Sequence, residues 1–133
     1  MARTATLLSL ALLAALPAAQ AAGFTAKNGM VAAQTGPTEI SVAYAPLHDA
    51  TDYWCAAGDF ARRALGLPGK TRIWRASPEP RGAGQGITFT LNPDLKAEGT
   101  GPSHFGAGPD DGSVSLAMAS VNYCRPALLI WRD

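Results

Sequence analysis

Two cysteines and two histidines among 133 residues leave little material for metal or redox chemistry, and the cysteines form no C-x-x-C pair. The missing pair argues against a thiol oxidoreductase of the usual kind. Two isolated imidazoles, His48 and His104, seldom build a zinc site unless carboxylates join them. Charge of either sign is scarce as well: 11 basic side chains face 10 acidic ones, a formal net charge of +1. Nucleic-acid binding rests on neutralising phosphates, and peripheral binding to anionic lipid rests on a positive face, so neither partner is expected. The nearest thing to a basic patch is Arg62-Arg63 with Arg72 and Arg75, which reads as a solvated face. A serine in a G-x-S-x-G elbow is absent, and the carboxylates show no spacing that pairs two of them in a cleft. No catalytic residue, metal or cofactor is therefore expected.

Apolar length is concentrated at the start. Met1 to Thr6 carries one charge, Arg3, and is followed by the apolar stretch Leu7 to Leu16, Pro17, and the small-residue site Ala19-Gln20-Ala21. This order is that of a secretory leader cut after Ala21, or alternatively after Ala22. The apolar stretch is too short for a span of about 20 residues, and Pro17 breaks it just before the cut. No cysteine stands at the cut to take a lipid, and a twin-arginine pair is missing, so export unfolded into solution is expected. Abundant Ala, Gly, Pro and Arg suggest a bacterial chain, destined for the periplasm or the outside medium. Residues 22–133 then form a single domain, expected to be monomeric, with no membrane segment after cleavage.

An oxidising destination makes a bond between Cys55 and Cys124 the default. It would close a loop of about 70 residues, for which chain entropy alone suggests roughly 4 kcal/mol. Cys55 lies at the edge of the apolar arc of the best helix in the chain, so the last strand or its exit should pack beside that helix. The helix is predicted over residues 50–65. Asp49 or Thr51 can cap it, and Tyr53, Trp54, Ala57, Phe60, Ala61, Ala64 and Leu65 fall on one arc. Asp52, Asp59 and Arg63 fall opposite, which predicts a solvated side. Gly66 and Pro68 end the segment.

Period-two patterns predict strands elsewhere: Met30 to Ala33, Ile40-Val42-Tyr44, Thr71 to Ala76, Ile87-Phe89-Leu91, a short one at Ser103 to Phe105, and a long last one through Val114, Leu116 and Met118. Ser120 to Cys124 could instead be a helical turn. Pro46 ends the second strand, and Ile73 beside Trp74 predicts a strand covered on both sides. Residues 77–86 are loop by composition, and Gly108 to Gly112 reads as a turn. The expected class is α+β: an antiparallel sheet of about 4–6 strands with one amphipathic helix on its dry face and one disulfide. A small barrel is the alternative.

The remaining signals have plain readings beside the sharper ones. Gly82-x-Gly84-x-Gly86 has the glycine density of a phosphate loop, yet it precedes a strand rather than a helix, so a hairpin loop fits better. Asp110-Asp111-Gly112 lacks the spacing of a calcium loop and fits a turn. His48-Asp49 is the one place where an acid/base pair is conceivable, and helix capping explains it as well. Trp54 belongs to the core. Trp74 and Trp131 are the aromatics left without a role, one of them expected to be exposed, and the apolar tail 126–131 needs a cover.

Tyr53-Trp54-Cys55-Ala56-Ala57-Gly58-Asp59-Phe60, followed by Leu65-Gly66-Leu67-Pro68, resembles small exported proteins of Gram-negative bacteria without an assigned function. The likeness covers residues 50–91, implies no activity, and leaves the tail after Cys124 as a departure. The function expected is a non-catalytic binding or interaction module of the bacterial envelope, its partner a protein or small ligand. The alternatives are a small hydrolase or lyase using a His-Asp pair, and an inhibitor that plugs an envelope hydrolase with loop 77–86.

Overall fold

The alternating segments become strands of one antiparallel sheet. The computed structural model describes residues 23–79, 81–99 and 111–124. The leader, His104 with the strand expected at 103–105, most of the Gly108 turn, Trp131 and the apolar tail lie outside the described residues. The strands are β1 (Phe24–Thr25), β2 (Val31–Gln34), β3 (Glu39–Val42), β4 (Arg72–Arg75), β5 (Ile87–Thr90) and β6 (Val114–Ser115). They run in the order β1-β2-β3-β5-β4-β6, each antiparallel to its neighbours.

Register decides which face is dry. Ile40 sits opposite Phe89 and Val42 opposite Ile87, and all four are buried together with Ala32 and Ile73. On the other face the hydroxyls of Thr35, Ser41 and Thr88 form a chain of hydrogen bonds at 3.0 and 3.1 Å. The third expected member of β3, Tyr44, is not in the sheet: the strand stops at Val42 and Tyr44 is 49% exposed. The ladder ends there because β5 begins opposite Val42 and is preceded by Gly86, whose backbone crowds the Val42 carbonyl too closely for any side chain.

The helix α1 (Ala50–Arg63) starts as its sequence predicts. The Asp49 carboxylate accepts from the Asp52 amide at 3.1 Å while Asp52 returns the bond to the Asp49 amide, a reciprocal capping box. Past its end, Gly66 takes φ 67° and Leu67 folds back to donate to Ala61 O at 3.0 Å. Trp54 packs on the sheet edge-on to Phe89, with ring centroids 4.7 Å apart.

Two expectations fail around this helix. The last long strand is short: only Val114 and Ser115 pair with β4, and the chain then turns into α2 (Leu116–Val121). Ser115 is the cause. Its hydroxyl accepts from the Met118 amide at 3.1 Å, and the amides of Leu116 and Ala117 donate to Thr71 O and Gly69 O, so the first three amides of the helix have partners. The 3₁₀ turn Asn122–Cys124 follows and brings Cys124 to Cys55, with 5.0 Å between Cα atoms, so the exit of the last segment does flank α1. The second failure is Asp59, expected in solvent and found 1% exposed. Residues Tyr53 to Ala61 are buried without a break, because α2 and the β1–β2 turn cover the side of α1 that the sheet leaves open. Asp59 holds that turn through the Lys27 amide at 2.8 Å and binds Arg63 with both oxygens at 2.7 and 2.6 Å. Arg63 in turn lies over the Phe24 ring at 4.8 Å.

Helix-to-helix contact is set by Gly58. A Cβ there would stand 2.6 Å from the Ala119 Cβ and 3.0 Å from the Ser120 amide nitrogen. Alanine normally gains roughly 1 kcal/mol over glycine inside a helix, but overpacking costs typically about 1–3 kcal/mol. Gly58→Ala is therefore expected to lower the melting temperature, and an unchanged or raised value would contradict the packing described. Burial alone would raise the Asp59 pKa, but the Arg63 guanidinium and the Lys27 amide outweigh it and hold the carboxyl below its ordinary value. A carboxyl depressed by folding stabilises above its unfolded pKa of about 4, and that stability fades as pH falls through the folded value. Denaturant titrations should place Asp59→Asn about 1–3 kcal/mol below the parent at pH 7. The gap should close at acid pH.

Candidate functional site

The end of the sandwich at the start of α1 gathers the features that the core does not explain. After β3 the chain runs Ala43 to Asp49 across this end, and the hairpin between β4 and β5 returns beside it. One side chain ties the first segment to the helix: the Tyr53 hydroxyl accepts from the Ala45 amide at 3.1 Å and donates to the Ala45 carbonyl at 3.3 Å. Tyr53 itself is wholly buried, so the tether is fixed from inside. Its ring carries the Arg81 guanidinium, 4.4 Å from the centroid, which links the second segment to the same tyrosine.

Between this tether and the cap of α1 stands Leu47. Its φ is 66°, the left-handed region that a branched side chain seldom adopts, and its side chain is fully exposed. His48 follows and spends Nδ1 on Asp52 Oδ2 at 2.9 Å, the carboxylate that also closes the capping box. Asp49 is held below its ordinary carboxylate pKa, chiefly by the Thr51 hydroxyl at 2.6 Å. The His48-Asp49 neighbourhood thus contains a real histidine–carboxylate pair, formed with Asp52 rather than Asp49.

A cavity of about 590 Å³ opens next to the helix start, lined by Ala50, Arg75, Glu79, Arg81, Ile87 and Gly99. Arg75 is its buried charge. Burial pushes the Arg75 pKa down, the Glu79 carboxylate opposes this, and the Arg81 charge reinforces it. The guanidinium donates to Ser77 O at 2.9 Å, Glu79 Oε1 at 2.7 Å and Pro78 O at 3.3 Å, so it serves the hairpin 77–86 as an internal anchor. With Thr88 N bound to Ser77 Oγ at 3.1 Å, this glycine-rich segment is a pinned β-hairpin connection, and no helix follows it. Neither His48 nor Asp52 lines the cavity. A second hollow of about 470 Å³ lies over the hydroxyl face of the sheet, among Val31, Ala33, Ser41, Ala43 and Thr88, with no ionised side chain in its lining.

The other expected residues are accounted for differently. Trp74, read as an aromatic in search of a role, is only 9% exposed. It sits opposite Thr90 on the face away from α1, and its indole Nε1 meets no acceptor among the described residues. Asp111 accepts from the Ser113 amide and hydroxyl, and the Ser113 hydroxyl lowers its pKa, which is turn chemistry. Arg72 completes that turn through Ser113 Oγ at 2.8 Å. Among the described residues no three His, Cys, Asp or Glu side chains come together as a metal site. The features that sequence reading missed are Leu47 and the Tyr53 tether. Pro46 before an apolar residue and a cap at Asp49 was the only local sign of a tight bend.

Removing the tether has a defined expectation. Tyr53→Phe leaves the Ala45 amide without its acceptor, which costs roughly 1–3 kcal/mol where the group stays dry. Hydrogen exchange should accelerate at Ala45 while the strand amides of β3 and β5 keep their protection. Equal protection at Ala45 in both proteins would mean that the hydroxyl does not hold the loop.

Searches against protein-family models, curated proteins and solved structures found no match to this chain.

Proposed function

We propose that the chain is an exported, non-catalytic interaction module of the bacterial envelope, periplasmic or extracellular, that binds a protein partner with the α1 end of its sandwich. The observation that carries this reading is Leu47, a fully exposed leucine kept at φ 66° on a loop tethered at both sides. Strained backbone costs of order 1–3 kcal/mol and persists where the surroundings enforce it, often at working surfaces. The disulfide between Cys55 and Cys124 is compatible with an oxidising compartment.

A second reading is favoured by one distance, the 2.9 Å between His48 Nδ1 and Asp52 Oδ2, which has the form of a base and its orienting carboxylate. Against it, the pair is absent from the lining of both cavities and Asp52 already serves the helix cap. One experiment separates the two. The domain with its leader removed is used as bait in envelope extract, in parallel with His48→Ala and Leu47→Asn. Enrichment of the same protein by parent and His48→Ala, with loss in Leu47→Asn, is expected. No enrichment at native abundance, or loss only in His48→Ala, would overturn the interaction reading.

A further inference from the structure

Leu47 is expensive where it stands. A left-handed conformation is strained for an L-residue with a side chain, and glycine or asparagine would adopt it with less strain. The leucine recovers none of that from the fold, because its side chain is fully exposed. Single exposed leucines are ordinary on protein surfaces. A single exposed leucine at positive φ, between a proline and a capped helix, is a different matter.

The loop around it is built to stay put. Pro46 fixes its own φ, the buried Tyr53 hydroxyl holds both backbone groups of Ala45, and the Asp49–Asp52 capping box fixes the other side. Tyr44, 49% exposed, adds a broad aromatic shoulder at the base. A rigid projecting side chain loses little freedom on docking, which is how pre-ordered loops gain affinity. Two residues past Leu47, the exposed Asp49 carboxylate is held below its ordinary pKa, chiefly by the Thr51 hydroxyl, and caps the helix through the Asp52 amide.

We propose that Leu47 is an anchor side chain that inserts into a recessed apolar pocket, one leucine wide, on a folded partner protein whose rim offers donors or positive charge to Asp49. This rests on the interaction reading above and sharpens it: the inserted element is the loop Tyr44 to Asp49, while the hairpin 77–86 acts as its flank. Anchors of this kind tend to sit at the centre of an interface, surrounded by contacts that exclude water.

Photo-crosslinking in the intact producing cell tests the proposal. Benzoylphenylalanine is placed at position 47, at position 81 in the hairpin, and at position 121, where Val121 is an exposed apolar residue on α2. A discrete adduct from position 47, with none from 121, is expected. The captured partner, once identified and purified, should bind Leu47→Asn at least about 30-fold more weakly than the parent, the loss typical of an interface hot spot. Asparagine tolerates positive φ, so Leu47→Asn should melt at or above the parent temperature, which separates lost binding from lost folding. Adducts from 81 or 121 but not from 47, or affinity unchanged in Leu47→Asn, would overturn the anchor and leave the interaction reading standing. No adduct from any of the three positions would overturn both.

Discussion

One helix buried from Tyr53 to Ala61 is the constraint to which the other elements answer. A helix lying on a sheet ordinarily keeps one side in water, and α1 does not. The sheet takes Trp54 and Phe60, α2 takes Gly58, the β1–β2 turn takes Asp59, and the disulfide takes Cys55. Each cover needs its own chemistry. The sheet side is apolar packing. The α2 side needs the absence of a side chain, and the turn side needs a charge that is bonded to Arg63 and the Lys27 amide. A small domain gains apolar burial slowly with size, and covering a single helix on three sides is one way to raise it.

The same helix carries the surface where function is proposed. The capping box at its start holds the end of the loop after β3, and the first of its buried aromatics in chain order is the tyrosine whose hydroxyl fixes Ala45. The exposed loop is therefore bonded to the core at Ala45 and to the helix cap at Asp49. Arg81 over the Tyr53 ring extends the arrangement to the neighbouring hairpin. A strained residue at such a place is held by contacts on both sides of it rather than by any contact of its own.

Sequence and structure agree where the signals are local. The alternation of Ile40 with Val42 and of Ile87 with Phe89, the cap at Asp49 and the stop at Gly66 each involve neighbours a few residues apart. They disagree at Asp59, Ser115 and Tyr44. Asp59 and Arg63 form a favourable pair on an exposed helix as readily as on a buried one, so spacing says nothing about what lies above them. Ser115 to Met118 has cap spacing, but Val114, Leu116 and Met118 also alternate, and the period of two concealed the start of α2.

The chain's own order determined an α+β domain with one capped amphipathic helix, alternating strands, and two thiols free to pair only with each other. Propensity, periodicity and capping act over one or two turns, and those are written in consecutive residues. Only the tertiary structure decided that α1 is covered on its second side, that a hydroxyl at Tyr53 restrains Ala45, and that Leu47 points outward at positive φ. Each depends on groups apart in the chain meeting in space, as Lys27 and Asp59 do across 32 residues and Ala45 and Tyr53 do across eight. A backbone conformation enforced from outside a segment leaves little trace in the segment itself.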